Sequence, residues 1–113
     1  MAVLTTHVLN GVEGIHAEGV AVTLRHIASG RVLFRDRTDA AGRLQREVPA
    51  ADLAAGAEYD LVFAVGPYWA GRGRGDVGTV RECVYRFLLL DPEVRMHVPI
   101  NLSPHSHALW WSA

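Results

Sequence analysis

Short apolar runs that alternate with polar residues at every second position, each closed by a turn, most limit what this chain can fold into. Tyr59, Leu61, Phe63 and Val65 fall on one face of an extended segment, and Val20, Val22 and Leu24 alternate against Thr23 and Arg25. Ser29-Gly30 joins two such runs as a hairpin turn, and Asp39-Ala40-Ala41-Gly42 forms another, with Gly42 suited to a positive φ. The pattern predicts strands at about 3–10, 19–27, 31–37, 43–49, 57–65, 80–90, 94–102 and 106–112. Eight short strands with turns between them specify an all-β, two-sheet sandwich. At 113 residues the chain suits one domain, 1–113.

Helix has little room. Pro49-Ala50-Ala51-Asp52-Leu53-Ala54-Ala55-Gly56 is the one helical candidate of note, alanine-rich but barely two turns long. The stretch 66–78 reads as a loop by composition. No apolar run reaches the roughly 20 residues of a membrane-spanning helix. The opening residues lack the basic and apolar regions of a secretory signal, and the single cysteine, Cys83, suits a reducing compartment; the expected location is cytoplasmic. A net charge of −1 gives no electrostatic case for a nucleic-acid partner. All eleven basic residues are arginines, which excludes Schiff-base catalysis through a lysine.

Several strands are apolar on both faces. Residues 3–9 carry Val3, Thr5, His7 and Leu9 on one side and Leu4, Thr6 and Val8 on the other. Met96, Val98, Ile100 and Leu102 share a face opposite Arg95, His97, Pro99 and Asn101, and Leu109, Trp110 and Trp111 follow. A partner subunit over an outer sheet face accounts for this, with Leu109 on the presumed interface strand. An uneven core with exposed apolar side chains accounts for it too.

Six histidines stand out. His7 and His97 fall on the faces turned away from the core, where two imidazoles brought together divide base and acid roles near neutral pH. Each also reads as a hydrogen-bonded strand histidine, and 90 residues of separation decide nothing. Arg43 opens a strand after the 39–42 turn; its guanidinium suits a carboxylate, an enolate or a ring carbonyl, or plain solvent. His105 and His107 share one side of an extended segment, but a zinc centre needs a third ligand, so no metal site is assigned. Gly71-Arg72-Gly73-Arg74-Gly75 resembles an arginine–glycine RNA-binding stretch, but on a near-neutral protein it reads as a mobile loop with solvated arginines. Phosphate-loop, dinucleotide and serine-nucleophile motifs are absent.

Four segments, in order along nearly the whole chain, resemble the transthyretin-related family, and within it the 5-hydroxyisourate hydrolase branch. Leu4-Thr5-Thr6-His7-Val8-Leu9-Asn10 is similar to the opening strand with its catalytic histidine. Thr38-Asp39-Ala40-Ala41-Gly42-Arg43 resembles the turn that carries the catalytic arginine. Phe63, Gly66, Tyr68 and Trp69 follow the family's strand and aromatic pair. Met96-His97-Val98-Pro99-Ile100-Asn101-Leu102-Ser103-Pro104 resembles the His-Val-Pro strand and the Ser-Pro beyond it.

The resemblance implies an eight-stranded sandwich with one short helix, assembled as a homotetramer around a channel. It implies a cofactor-independent acid–base enzyme that opens a small, polar, cyclic substrate. His7, Arg43 and His97 would be catalytic, and Trp110, Trp111, Asn101 and His105 are expected to contact substrate. The chain also departs from the hydrolase pattern. Trp110-Trp111-Ser112-Ala113 stands where that branch ends in Tyr-Arg-Gly-Ser, and Arg95 stands where it usually has a further histidine. Two alternatives stay open: a diverged enzyme for ring-opening, cyclisation or isomerisation of a more aromatic substrate in specialised metabolism, and a binding protein that holds a ligand without turnover.

Overall fold

The computed structural model describes residues 1–73 and 79–112. Among these, two antiparallel-rich sheets face each other. One contains β1 (Ala2–Asn10), β2 (Ile15–His16), β5 (Arg43–Val48), β8 (Arg95–Ser103) and β9 (Ser106–Leu109). The other runs in the order β4 (Val32–Arg37), β3 (Ala21–His26), β6 (Glu58–Phe63), β7 (Cys83–Leu88). The all-β sandwich expected from the alternation is therefore present. The ninth strand is β2, whose two residues are too few to register as a period.

Alternation does the sorting. Leu4, Thr6 and Val8 of β1 and Met96, Val98, Ile100 and Leu102 of β8 are buried between the sheets, against Leu24, Tyr59, Leu61 and Phe63 opposite. Burying such side chains contributes roughly 1.5–3 kcal/mol each. The centre of the first sheet is a parallel pair. β1 and β8 run side by side from Val3↔Arg95 to Asn10↔Leu102, so the outward residues Thr5 and His97 stand directly opposite each other.

The helix lies elsewhere than expected. Ala50–Asp52 makes only a 3-10 turn, whereas α1 (Val65–Gly71) occupies the stretch read as a loop. The alanines of 50–55 have no apolar face to bury, and propensity alone does not sustain so short a helix. In α1, Pro67 sits in the first turn, where a missing N–H costs nothing, and Gly71 ends the helix. Between them Tyr68 and Trp69 are buried against the core, and their burial decides the conformation. Of the arginine–glycine stretch, Gly71 ends α1. Arg72 is not the solvated loop arginine expected: its Nε donates to Glu13 at 2.5 Å and its guanidinium lies over the Tyr68 ring. Arg74 and Gly75 lie outside the described residues.

One polar cluster sits within the second sheet. The Asp60 carboxylate, 1% exposed, accepts two hydrogen bonds from Arg86, at 2.8 and 3.0 Å, and one from Arg25 at 3.4 Å. Those arginines, Arg86 foremost, hold its carboxyl below the usual carboxylate range although burial opposes the charge.

Candidate functional site

Three devices place the outward residues of β1. The first is Asn10, buried at the end of the strand. Its side-chain oxygen accepts from the N–H groups of Val12 and Glu13, at 3.0 and 2.9 Å, and its amide donates to the Tyr68 hydroxyl at 3.0 Å. This turn, with Gly14 at φ 70°, sends the chain back along β1 so that His16 pairs with Leu9.

The second is the turn before β5. The Asp39 carboxylate accepts from the N–H groups of Ala41 and Arg43, both at 2.9 Å. Gly42 adopts φ 71°, and a Cβ there would lie 2.4 Å from the Val8 carbonyl oxygen. Only glycine fits, as the sequence anticipated. The close approach lets the Gly42 carbonyl accept from Val8 N–H at 2.7 Å, and it sets Arg43 directly opposite His7.

The third is the parallel β1–β8 pair. The Thr5 hydroxyl meets His97 Nδ1 at 2.7 Å. On the far side of β8, His97 and Ser112 exchange main-chain hydrogen bonds at 2.7 and 2.8 Å, which ties the tail beside the histidine.

His7, Arg43 and His97 therefore converge on the outer face of the first sheet. A cleft of about 370 Å³ is lined by Thr5, Asp39, Arg43, Gln45 and His97, with His7 opposite Arg43 beside it and not in its wall. Among the described residues no carboxylate pairs with the Arg43 guanidinium, so its donors are free for an anionic oxygen. His7 is held below the usual imidazole range, first by partial burial, then by the charge of Arg43 and by His16; the Ala41 main chain acts in the opposite sense. The downward shift favours the neutral imidazole, the form able to take a proton.

The remaining candidates separate. Asn101, paired with Leu9, lines a second cleft of about 440 Å³ with Ile15 and His16. His105 lies exposed in the β8–β9 turn, well along β8 from His97, so this chain does not bring it to the cleft; His107 pairs with Leu102 and is half-buried. The two histidines do not share a strand face as expected, because His105 belongs to the turn. The tryptophans also part. The Trp110 N–H reaches the Pro99 carbonyl, beside His7, and its side chain is exposed. Trp111 packs its edge on Phe87 of the opposite sheet, with ring centroids 5.5 Å apart, and closes the sandwich edge instead of flanking His97. Leu109, partly buried, likewise packs against the core. Thr5, His16 and Ser112 join the site without having been singled out.

A central pair of strands carrying two histidines, an arginine entering from a glycine turn, and a matching sandwich together invite comparison with known proteins. Residues 4–111 match the HIUase/Transthyretin family. The chain belongs to that family. It is 34% identical to a 5-hydroxyisourate hydrolase of Caulobacter vibrioides, with 97% of each chain covered. The structure of Klebsiella pneumoniae 5-hydroxyisourate hydrolase superposes with a TM-score of 0.81 at 29% identity, covering all of both chains. Sea bream transthyretin shares the fold, with a TM-score of 0.80 at 22% identity over 97% of this chain and 94% of that one. The transthyretin-like sandwich is thus the family's own scaffold, and here its central strands β1 and β8 carry the two histidines, with Arg43 beside them on β5.

Proposed function

We propose that this protein is a cofactor-independent hydrolase that opens the ring of 5-hydroxyisourate or of a close analogue. The observation that carries this is the convergence of His7, Arg43 and His97 on one open sheet face, in a chain whose relatives include proteins named for that reaction.

In this reading neutral His7 takes a proton from water as the oxygen attacks a ring carbonyl carbon. Arg43 donates to the oxyanion that forms, and the amide C–N bond breaks. The proton taken up by His7 is passed through His97, its Nδ1 held by Thr5, to the departing nitrogen, so that both imidazoles end as they began. The cleft at Arg43 accommodates a small, polar ring. The other arrangement expected of the family, a homotetramer with its site at a subunit contact, fits the exposed histidine face and belongs to the same reading, as does a cytoplasmic location.

The test is an assay on freshly generated 5-hydroxyisourate. Accelerated loss of its ultraviolet absorbance supports the proposal, and a rate equal to the spontaneous one overturns it. One observation favours a second reading, the diverged enzyme: exposed Trp110 stands beside His7 through Pro99. An indole there favours a flatter, less polar ring than the hydrolase substrate. Turnover of such a ring, with 5-hydroxyisourate untouched, supports that reading.

A further inference from the structure

We propose that His16 is a positioning residue for His7: its Nδ1 shares a proton with His7 Nε2 and fixes which edge of that ring faces the substrate. The inference rests on the reading of His7 as the proton acceptor.

The two nitrogens are 3.1 Å apart, and the rings are tilted by 33° with centroids at 5.1 Å. That is an edge-to-edge hydrogen bond, not a stack. At such a distance one nitrogen carries the proton and the other presents its lone pair. If His7 Nε2–H donates to His16, His7 is held as one tautomer whose Nδ1 carries the lone pair, and the Ala41 main chain at the ring favours its protonated form.

The backbone makes the contact specific. β2 is held by two pairings, Leu9↔His16 and Asn10↔Ile15, and Ala17 N–H donates to the Val8 carbonyl at 2.9 Å. The His16 Cβ lies 3.3 Å from where a Cβ on Gly42 would be, so the turn that delivers Arg43 also braces His16. Two segments distant in sequence from the β8 histidine are thereby locked around Val8, and each presents one side chain to His7.

The charged and titratable groups acting on His7 come from every adjoining element: Arg43 from β5, His16 from β2 and His97 from β8, with Asp39 of the turn before β5 lining the neighbouring cleft. Asp39 is occupied with main-chain N–H groups, so the balance around His7 is cationic. His16, exposed to solvent, both orients the ring and opposes a second positive charge beside it.

The experiment is long-range proton–nitrogen NMR of the 15N-labelled full chain between pH 5 and 9, for wild type, H16A and H16N, with H7A for assignment. The expected wild-type spectrum shows His7 protonated on Nε2. H16N, whose side-chain oxygen still accepts that proton, keeps the tautomer but raises the His7 midpoint. H16A loses the tautomer preference. In turnover, kcat falls about tenfold in H16A and recovers in H16N, while the acid limb of kcat/KM follows the His7 midpoint upward. An unchanged tautomer and midpoint of His7 in both variants overturns the role, whether or not the enzyme turns over. If H7A keeps full activity while the His16 variants still shift His7, the catalytic reading falls and the pairing stands.

Discussion

At the scale of single residues, the site and the fold draw on different side chains. His7, Arg43 and His97 face outward and bury little, so alanine at any of them should cut kcat by about two orders of magnitude or more with hardly any change in melting temperature. Parallel absorbance kinetics and thermal melts check this; a variant with full turnover removes that residue from the chemistry. Asp60 should behave in the opposite way. Its folded pKa is depressed, so its stabilisation is fully present above the unfolded carboxylate value of about 4 and is lost as pH falls through the folded value. D60N should melt below wild type at pH 7, and the gap should close in acid. A gap independent of pH would show that the carboxylate charge is not what stabilises the cluster.

At the scale of elements, the alternation of apolar residues carried most of the architecture, because a sheet buried on one face writes its period into the sequence. Val20, Val22 and Leu24, or Leu4, Thr6 and Val8, needed no further information. What escaped was short or decided by distant partners. β2 is two residues long, and α1 forms because Tyr68 and Trp69 find a core to cover, whereas the better helix formers at 50–55 find none. Of the site, the glycine turn before Arg43 was legible from local chemistry. The closeness of His7 and His97 was not, since it is set by a strand pairing across most of the chain. The tail shows the same limit: Trp110 and Trp111 are adjacent in sequence yet serve different ends. W111A should lower the melting temperature through loss of the Phe87 contact, with selectivity unaltered. W110A should leave stability nearly intact and change the relative kcat/KM for polar and aromatic rings. Equal effects on stability from the two would contradict the separation.

For the whole molecule, the outer face of the first sheet is the surface that an assembly would cover. Half-buried Thr5, His7 and Leu9 alternate with the buried row of β1, and Pro99 and exposed Trp110 extend that face. A subunit laid over it would bury apolar surface and enclose the histidines, and four chains of 12.4 kDa give about 50 kDa. Sedimentation at micromolar concentration should find that mass. A stable monomer would leave the site open to solvent and remove the interface from the account. L109D tests something else, since Leu109 packs inward: it should weaken the fold of the chain itself.

The parallel pairing of β1 with β8 also has a consequence for synthesis. The second sheet is built wholly from residues 21–88 and so can pair as it emerges from the ribosome. β1, made first, can pair with β2 and β5 early but must wait for residues 95–102, its longest partner, before the first sheet is complete. Loops closed over so much of the chain form slowly. His7 and His97 become neighbours in the same event, so the reactive face is among the last parts of the molecule to exist, and a nascent chain lacking β8 has a histidine on a strand but no site.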